Sequence, residues 1–591
     1  MTRSSVSSPV SPEPGFCFGT LRLEADGSLL RGATAIHLLP KELAALRLLL
    51  AHAGQIVTPL QLKQALWGDV HVTADSIPKC VSSLRAKLEP DECIQTVYKR
   101  GYRFAAEVRP LGAAGLDMLL RLAIMPFATG FNIAEYLGPA IAEEAIARLS
   151  GGRRAPVSVL ARDSVFTLAH RGLTAQQVGQ ALKADLVLTG TLRALPTHFR
   201  LRAEMIRVED GTQIWVEDFL VAQGRVAGLE SELAQRLAFR LGSGGLSISA
   251  SAAPPAEDEN DPVRREAYEM FLRGHHEWQT LQRHRMQDGM MHLARATELD
   301  PALAPARVAL VNVCVTQAFY GFMSPAVAAE QIHRTAGTIQ HPLDGADALL
   351  PALGWLSFHV DHDLPHALQA FTHSAHLPHD PWITRLRVML ALSRHRFAEA
   401  IDMVNSALRV DPYSPWLNTR LGWAYHLSGD AAKSVEQIEQ ALAQFPDHEG
   451  TSLYGSMILT YNGDPVRGAQ LAEGLAKSSP YFDIATAIHG YALACGGRKD
   501  EARATLERLQ WLSRERFVLR SFAPAVCVAL GDLEGAIAEL RAAEDARCPW
   551  FFQMLADPRL KLLHGHPKFN RMLALLAGME TAAAKSQGHG I

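Results

Sequence analysis

Disulfide chemistry is the first thing this sequence lacks. Its seven cysteines, at 17, 80, 93, 314, 495, 527 and 548, are odd in number, scattered and never paired as CxxC. Neither a disulfide framework nor a zinc knuckle is suggested, and reduced thiols are expected. Strong net charge is missing too. A formal charge of -3, with 20% charged and 48% hydrophobic residues, is an ordinary globular composition, so any surface for nucleic acid must be local. No apolar run reaches the roughly 20 residues needed to cross a bilayer. The most apolar early stretch, GLDMLLRLAIMPF at 115–127, is short and carries Asp117 and Arg121. The N-terminal MTRSSVSSPVSPEPG has no apolar core of the signal-peptide kind; residues 1–15 read as a disordered leader, and a cytoplasmic location is expected. Also absent are a P-loop, a GxGxxG after a strand and a nucleophile elbow. The expectation is no enzyme, no cofactor and no resident metal.

What is present divides by pattern. At 591 residues the chain is too long for one core, and roughly three to five domains are expected. Residues 16–109 mix short β-like runs with amphipathic helices. Leu43, Leu46, Leu49 and Leu50 recur at three- and four-residue spacing, so one face of the first helix is core. TPLQLKQALW supplies a second helix, with Thr58 as its N-cap and Pro59 at the first helical position. Residues 117–243 alternate strands and helices and then read as three successive strands, an α/β sheet domain closed by a helix. Composition collapses at 244–262 into Gly, Ser, Ala and Pro followed by acidic residues, the mark of a flexible linker. From 263 to 577 nearly everything is helical, and Pro378, Pro412, Pro446 and Pro480 recur every 34 residues. That period is the tetratricopeptide signature. Leu421, Gly422, Tyr425 and Ala441 fit it best; Ala400, Ala407, Gly490 and Ala502 match in neighbouring units, and 267–306 opens the array with a related unit. The unit from 449 to 480 fits poorly, with Gly455 and Ser456 where Leu and Gly are expected. Such units bury their faces only against neighbours, so they stack into a curved solenoid. Residues 578–591 read as a tail.

The stretch DSIPKCVSSLRAKL, residues 75–88, has a proline inside a helical pattern. With Asp75 as N-cap, Pro78 is the third helical residue, where no intrahelical N–H bond exists to lose. The proline therefore places the helix start. Ile77, Val81, Leu84 and Leu88 line the buried face, while Lys79, Ser82, Ser83, Arg85, Ala86 and Lys87 lie wholly or partly outward. A short-chained, cationic outer face suits a helix seated in a major groove. For a lone helix, a merely solvated face is the better explanation of such a pattern; the complete order of helices and wing reverses that preference.

Residues 16–108 resemble the winged-helix DNA-binding domain of OmpR/PhoB-type transcription regulators. LLPKELAALRLLLAHAGQIVTPLQLKQALWGD is similar to that family's first two helices, including Trp67-Gly68; DSIPKCVSSLRAKL, with Leu84-Arg85 and Lys87-Leu88, is similar to its recognition helix, and IQTVYKRGYRF to its hairpin wing. The resemblance implies base or phosphate contacts from Lys79, Ser82, Ser83, Arg85 and Lys87, and wing contacts from Lys99, Arg100 and Tyr102. Family members often carry arginine where this chain has Ser82 and Ser83. The middle stretch, with Gly190, Arg193, Gly211 and Trp215 at landmark positions, resembles the TolB-N-terminal-like domain found in bacterial signalling proteins. Together, the order resembles the soluble HilA-like branch of ToxR/CadC-type regulators. The expected fold class is multidomain α/β plus all-α: a winged helix-turn-helix, an α/β TolB-N-like domain and an α-helical tetratricopeptide solenoid.

The resemblance implies a sequence-specific DNA-binding transcription regulator, an activator by family habit, on promoter DNA with direct-repeat half-sites. Residues 16–109 hold 12 Lys and Arg against 9 Asp and Glu, a small excess that favours binding of several copies. Repeats would supply self-association or a protein partner, transcription machinery included. Two other readings compete: a repeat scaffold without DNA regulation, and a metal hydrolase at the histidine-rich HVDHDLPH, 359–366. Cys80 is either a redox switch or a small core filler.

Overall fold

The computed structural model describes residues 15–18, 21–23, 28–31, 34–54, 56–67, 76–88, 93–97, 100–106, 108–111, 120–150, 157–222, 228–240, 261–279, 283–337, 346–374, 381–479 and 482–588. It divides into two compact units, one mainly of residues 1–120, the other mainly of 121–153, 159–236 and 247–591.

In the first unit, strands Gly15–Phe18, Leu21–Leu23, Leu29–Arg31 and Thr34–Ile36 pair antiparallel in sequence order, and Val108–Leu111 pairs with the first. Three helices follow, Pro40–Ala51, Pro59–Trp67 and Ser76–Leu88, then the hairpin Ile94–Val97 and Gly101–Phe104. Ile56–Val57 adds to the hairpin beside Gly101–Phe104. Thr58 and Gln61 cap the second helix reciprocally, each backbone N–H donating to the other's side-chain oxygen at 2.9 and 3.3 Å. Gly101 sits at φ +140°, where a Cβ would stand 2.2 Å from the Val57 carbonyl oxygen, a place that admits no side chain. The leucine stripe reaches one core: Leu46, Leu49, Leu50, Leu62, Val81, Leu84 and Leu88 are all buried, with Phe18 and Phe104 meeting edge to face at 5.0 Å.

The second unit opens on a sheet. Leu120–Ile124 runs parallel to Leu186–Ala194, which pairs antiparallel with His198–Arg207, itself antiparallel to Gln213–Ala222. Helices Leu137–Ser150, Arg162–His170 and Ala175–Leu182 accompany it. A helix begins at Pro262, capped by the Asp261 carboxylate accepting from Val263 N at 2.9 Å; the linker expected through 262 therefore stops short of Asp261, because an Asp-Pro pair is itself a helix start. At the other end, helix Pro567–Gly588 runs through most of the segment read as a tail, with Met579 and Ala583 buried.

Between these limits lie helix pairs. Their first helices begin at Pro381, Pro415, Glu449 and Asp483, a spacing of 34, and their second helices are Phe397–Leu408, Ala431–Gln444, Pro465–Ser478 and Lys499–Glu515. The unit starting at 449, a poor fit by pattern, is as regular as its neighbours. In the preceding unit Ser434 on the second helix donates to Gly422 O on the first at 2.9 Å. Here the types are exchanged, and Ser456 on the first helix donates to Gly468 O on the second at 2.7 Å. A Cβ on Gly468 would stand 2.0 Å from Thr460 Oγ1 and 2.9 Å from Ser456 O, whereas one on Gly422 would meet only ordinary contacts at 3.6 Å. The serine-to-carbonyl bond is made in either order, but the glycine is required only at 468.

Candidate nucleic-acid interface

Helix Ser76–Leu88 starts where the proline argument puts it, with Pro78 exposed at its third position; the expected cap Asp75 lies outside the described residues. Val81, Leu84 and Leu88 are buried and Ile77 packs against the same core. The opposite face carries Lys79, Ser82, Ser83 and Ala86 in the open.

Two networks tie this helix down. One centres on Glu42, a carboxylate of the first helix that is only 3% exposed. It accepts from Ser83 Oγ at 2.6 Å, Lys87 Nζ at 2.6 Å and Leu39 N at 2.7 Å, while Lys87 Nζ also donates to His37 O at 2.8 Å. Burial pushes the Glu42 pKa up, but the bonds from Lys87, Ser83 and Leu39 outweigh it and leave the carboxyl below its ordinary value. The second network is Arg85. Its Nε donates to Ile94 O at 2.9 Å and an Nη to Thr96 Oγ1 at 2.8 Å, with the guanidinium over the Tyr102 ring at 5.9 Å. Arg85 thus clamps the helix to the hairpin.

The eight residues expected to meet DNA therefore fall into groups. Lys79, Ser82 and, at the hairpin turn, Arg100 are exposed. Ser83 and Lys87 are engaged by Glu42, and Arg85 and Tyr102 join helix and wing. Lys99 lies outside the described residues. Sequence reasoning missed Glu42. Its only local signal was its place three residues after Leu39, where it accepts from the Leu39 backbone as a capping residue does. Cys80 is half-buried with Sγ 3.8 Å from Lys41 O, and burial, then the charge of Glu42, raise its thiol pKa. That is the setting of a filler thiol, unlike the electropositive one of a reactive cysteine.

The helix-helix-helix-hairpin order, with a cationic helix face beside an exposed hairpin turn, matches a known family. Residues 33–104 fit the family described as "Transcriptional regulatory protein, C terminal". They are a DNA-binding domain of transcription regulators. This regulatory domain has curated relatives in the transcriptional regulator HilA of Salmonella typhimurium, 39% identical over 123 residues, 20% of this chain and 22% of the relative. HilA of Salmonella typhi is likewise 39% identical over 123 residues, 20% and 22% of the two chains. The matched stretch thus spans about a fifth of these relatives' length. Among solved structures, a tetratricopeptide repeat protein from Parabacteroides merdae aligns with 53% of this chain and 99% of its own at 13% identity, with a TM-score of 0.25.

The rival site at 359–366 is dispersed. His359 is buried, with Nδ1 3.0 Å from Trp355 O and Nε2 3.3 Å from Ser393 Oγ, and burial pushes its pKa down to about 3. His362 packs on Phe552 and meets Arg547, and Asp363 caps the next helix by accepting from His366 N. Among the described residues no three His, Cys, Asp or Glu side chains are placed to hold a metal ion, and no helix is long and apolar enough to cross a membrane.

Proposed function

We propose that this chain regulates transcription by binding promoter DNA through residues 33–104, as an activator, with several copies on direct-repeat half-sites. The observation that carries the reading is the open Lys79 and Ser82 face, held on a buried apolar stripe and clamped by Arg85 to the hairpin that bears Arg100. Helix Ser76–Leu88 enters the major groove, with Lys79 and Ser82 toward DNA and Lys99, Arg100 and Tyr102 at the adjacent backbone or minor groove. Ser83, Arg85 and Lys87 fix the pose. With few cations free, one domain binds modestly, and self-association or a protein partner through the helical repeats raises occupancy.

Gel shifts of the full chain on DNA upstream of its own gene, across a salt series, test this. Lys79→Ala is expected to weaken every DNA alike and to lower the salt slope by about one. Ser82→Ala is expected to change which sequence is preferred. A chain that shifts no DNA at low salt, or two variants that behave alike across sequence and salt, would overturn the reading.

A further inference from the structure

The first helices of the repeats place residues 34 apart at equivalent positions: Leu386, Arg420, Tyr454 and Ile488 in one row, Met389, Trp423, Met457 and Tyr491 in another. A face that only joins unit to unit keeps its residue types, since each unit makes the same contact with the next. These rows mix apolar, cationic and aromatic residues. They converge on a stretch with no repeat period, Cys548–Leu563. Trp550 and Gln553 are fully buried and Phe552 and Asp557 are 1% exposed.

Six helices read this stretch by specific groups. Trp550 Nε1 donates to Phe319 O at 2.7 Å. Gln553 accepts from Trp423 Nε1 at 3.1 Å and donates to Ser393 Oγ at 3.3 Å. Phe552 packs on Phe358 with ring centres 5.1 Å apart, Trp550 lies 6.0 Å from the Tyr454 ring, and Arg559 lies 5.1 Å from the Tyr491 ring. Asp557 pairs with Arg559 at 2.6 Å and His426 at 3.4 Å. Specific polar contacts lining an apolar groove are the chemistry of recognition.

Buried polar atoms without a hydrogen-bond partner occur throughout the described residues, and four of them line this groove: Arg420 Nε and Nη1, Tyr454 Oη and Arg559 Nη1. The stretch enters beside three turns whose non-glycine residues have positive φ, His362, His395 and Arg547, with His395 standing where later units carry Gly429, Gly463 and Gly497; His362 touches Arg547 and the Phe552 ring, and His395 Nε2 lies 2.7 Å from Phe552 O.

We propose that Cys548–Leu563 is a displaceable internal ligand of the repeat array, and that its groove takes a partner peptide of the same chemistry: adjacent aromatic rings followed by an Asp-Pro-Arg turn. Two measurements on the full chain test it. Hydrogen exchange of the wild type is expected to open 548–563 as a unit before the helices 415–428 and 449–461; opening only together with those helices overturns the proposal. A labelled synthetic peptide of residues 546–566 is expected to bind full-length Trp550→Ala at least about tenfold more tightly than wild type, whose groove is filled. The same peptide with alanine in place of its tryptophan is expected not to bind. A Trp550→Ala chain that keeps its helicity yet excludes the peptide, or one that loses the array altogether, shows the stretch to be fixed core.

Discussion

Two buried charges set the halves of this molecule apart. Glu42, in the DNA-binding domain, is surrounded by donors from three places, two of them, Ser83 and Lys87, on helix Ser76–Leu88 and the third the Leu39 N–H at the start of its own helix. Arg420, in the array, is 1% exposed inside a box of Phe319, Trp416, Tyr454 and Trp550 rings, 4.6 to 5.5 Å away, with two of its nitrogens unpartnered. Burial pulls its pKa down to about 10. A satisfied buried charge holds a surface in place; an unsatisfied one marks a site where structure was not the only requirement.

The sharpest way to break that contrast is to remove both charges and compare signs. Arg420→Met is expected to raise the stability of the array by about 1–4 kcal/mol, as replacing poorly paired buried ions by apolar groups does, measured by denaturant unfolding of the full chain. A loss of stability instead would mean that the ring contacts outweigh the desolvation. Next comes the serine-glycine crossing. Gly468→Ser is expected to destabilise by about 1–3 kcal/mol through overpacking against Thr460 and the Ser456 carbonyl, and Gly422→Ser, where a Cβ meets only ordinary contacts at 3.6 Å, is expected to cost clearly less. Glu42→Gln is expected to destabilise the DNA-binding domain by about 1–2 kcal/mol and to weaken binding to all DNA, with Lys87 and Ser83 released from their common anchor.

The smallest effects are slopes with pH, and they too are opposite. The Glu42 pKa lies below its ordinary 4.5, so its contribution is present at neutral pH and is lost as pH falls through the acid range. Asp411, beside the first turn of helix Arg162–His170, accepts from Ser164 N at 3.0 Å and faces Asp163, which in turn pairs with Arg385 at 2.5 Å. Burial first, and Asp163 second, raise the Asp411 pKa from 3.8 to about 7. Its contribution is therefore full below pH 3.8 and disappears as pH rises through about 7. Thermal melts from pH 4 to 8 are expected to show Asp411→Asn gaining on the wild type toward neutral pH; the difference between the two removes the opposite trend of His359, His362 and His448, which are buried neutral and add stability as pH rises toward 6.5.

Much of this was legible in the residues. Pro78 placed helix Ser76–Leu88, the three- and four-residue leucine spacing placed the core, and the 34-residue proline spacing placed the helix pairs. Those are local or periodic signals, written along the chain. Glu42 was not legible, because its partners Ser83 and Lys87 stand 41 and 45 residues away and each was already explained as an outward polar group. The same holds for Arg85, which an outer-face assignment left free to touch DNA and which folding commits to the wing. Cys548–Leu563 escaped because it has no period; it obtains its burial from six helices at once. His362 and Asp363 looked like metal ligands in one dimension and separate in three, one onto Phe552 and the other into a helix cap.

The exchanged serine and glycine at the repeat crossings have a consequence for how such arrays change over time. Ser434 with Gly422 and Ser456 with Gly468 make one contact written in two orders. A comparison that scores each column separately counts two mismatches between these neighbouring units, although the hydroxyl bond is kept. The two orders are not equally tight: a Cβ on Gly422 meets only ordinary contacts at 3.6 Å, whereas one on Gly468 stands 2.0 Å from Thr460 Oγ1. The first glycine is therefore free to drift to a larger residue, and the second is held.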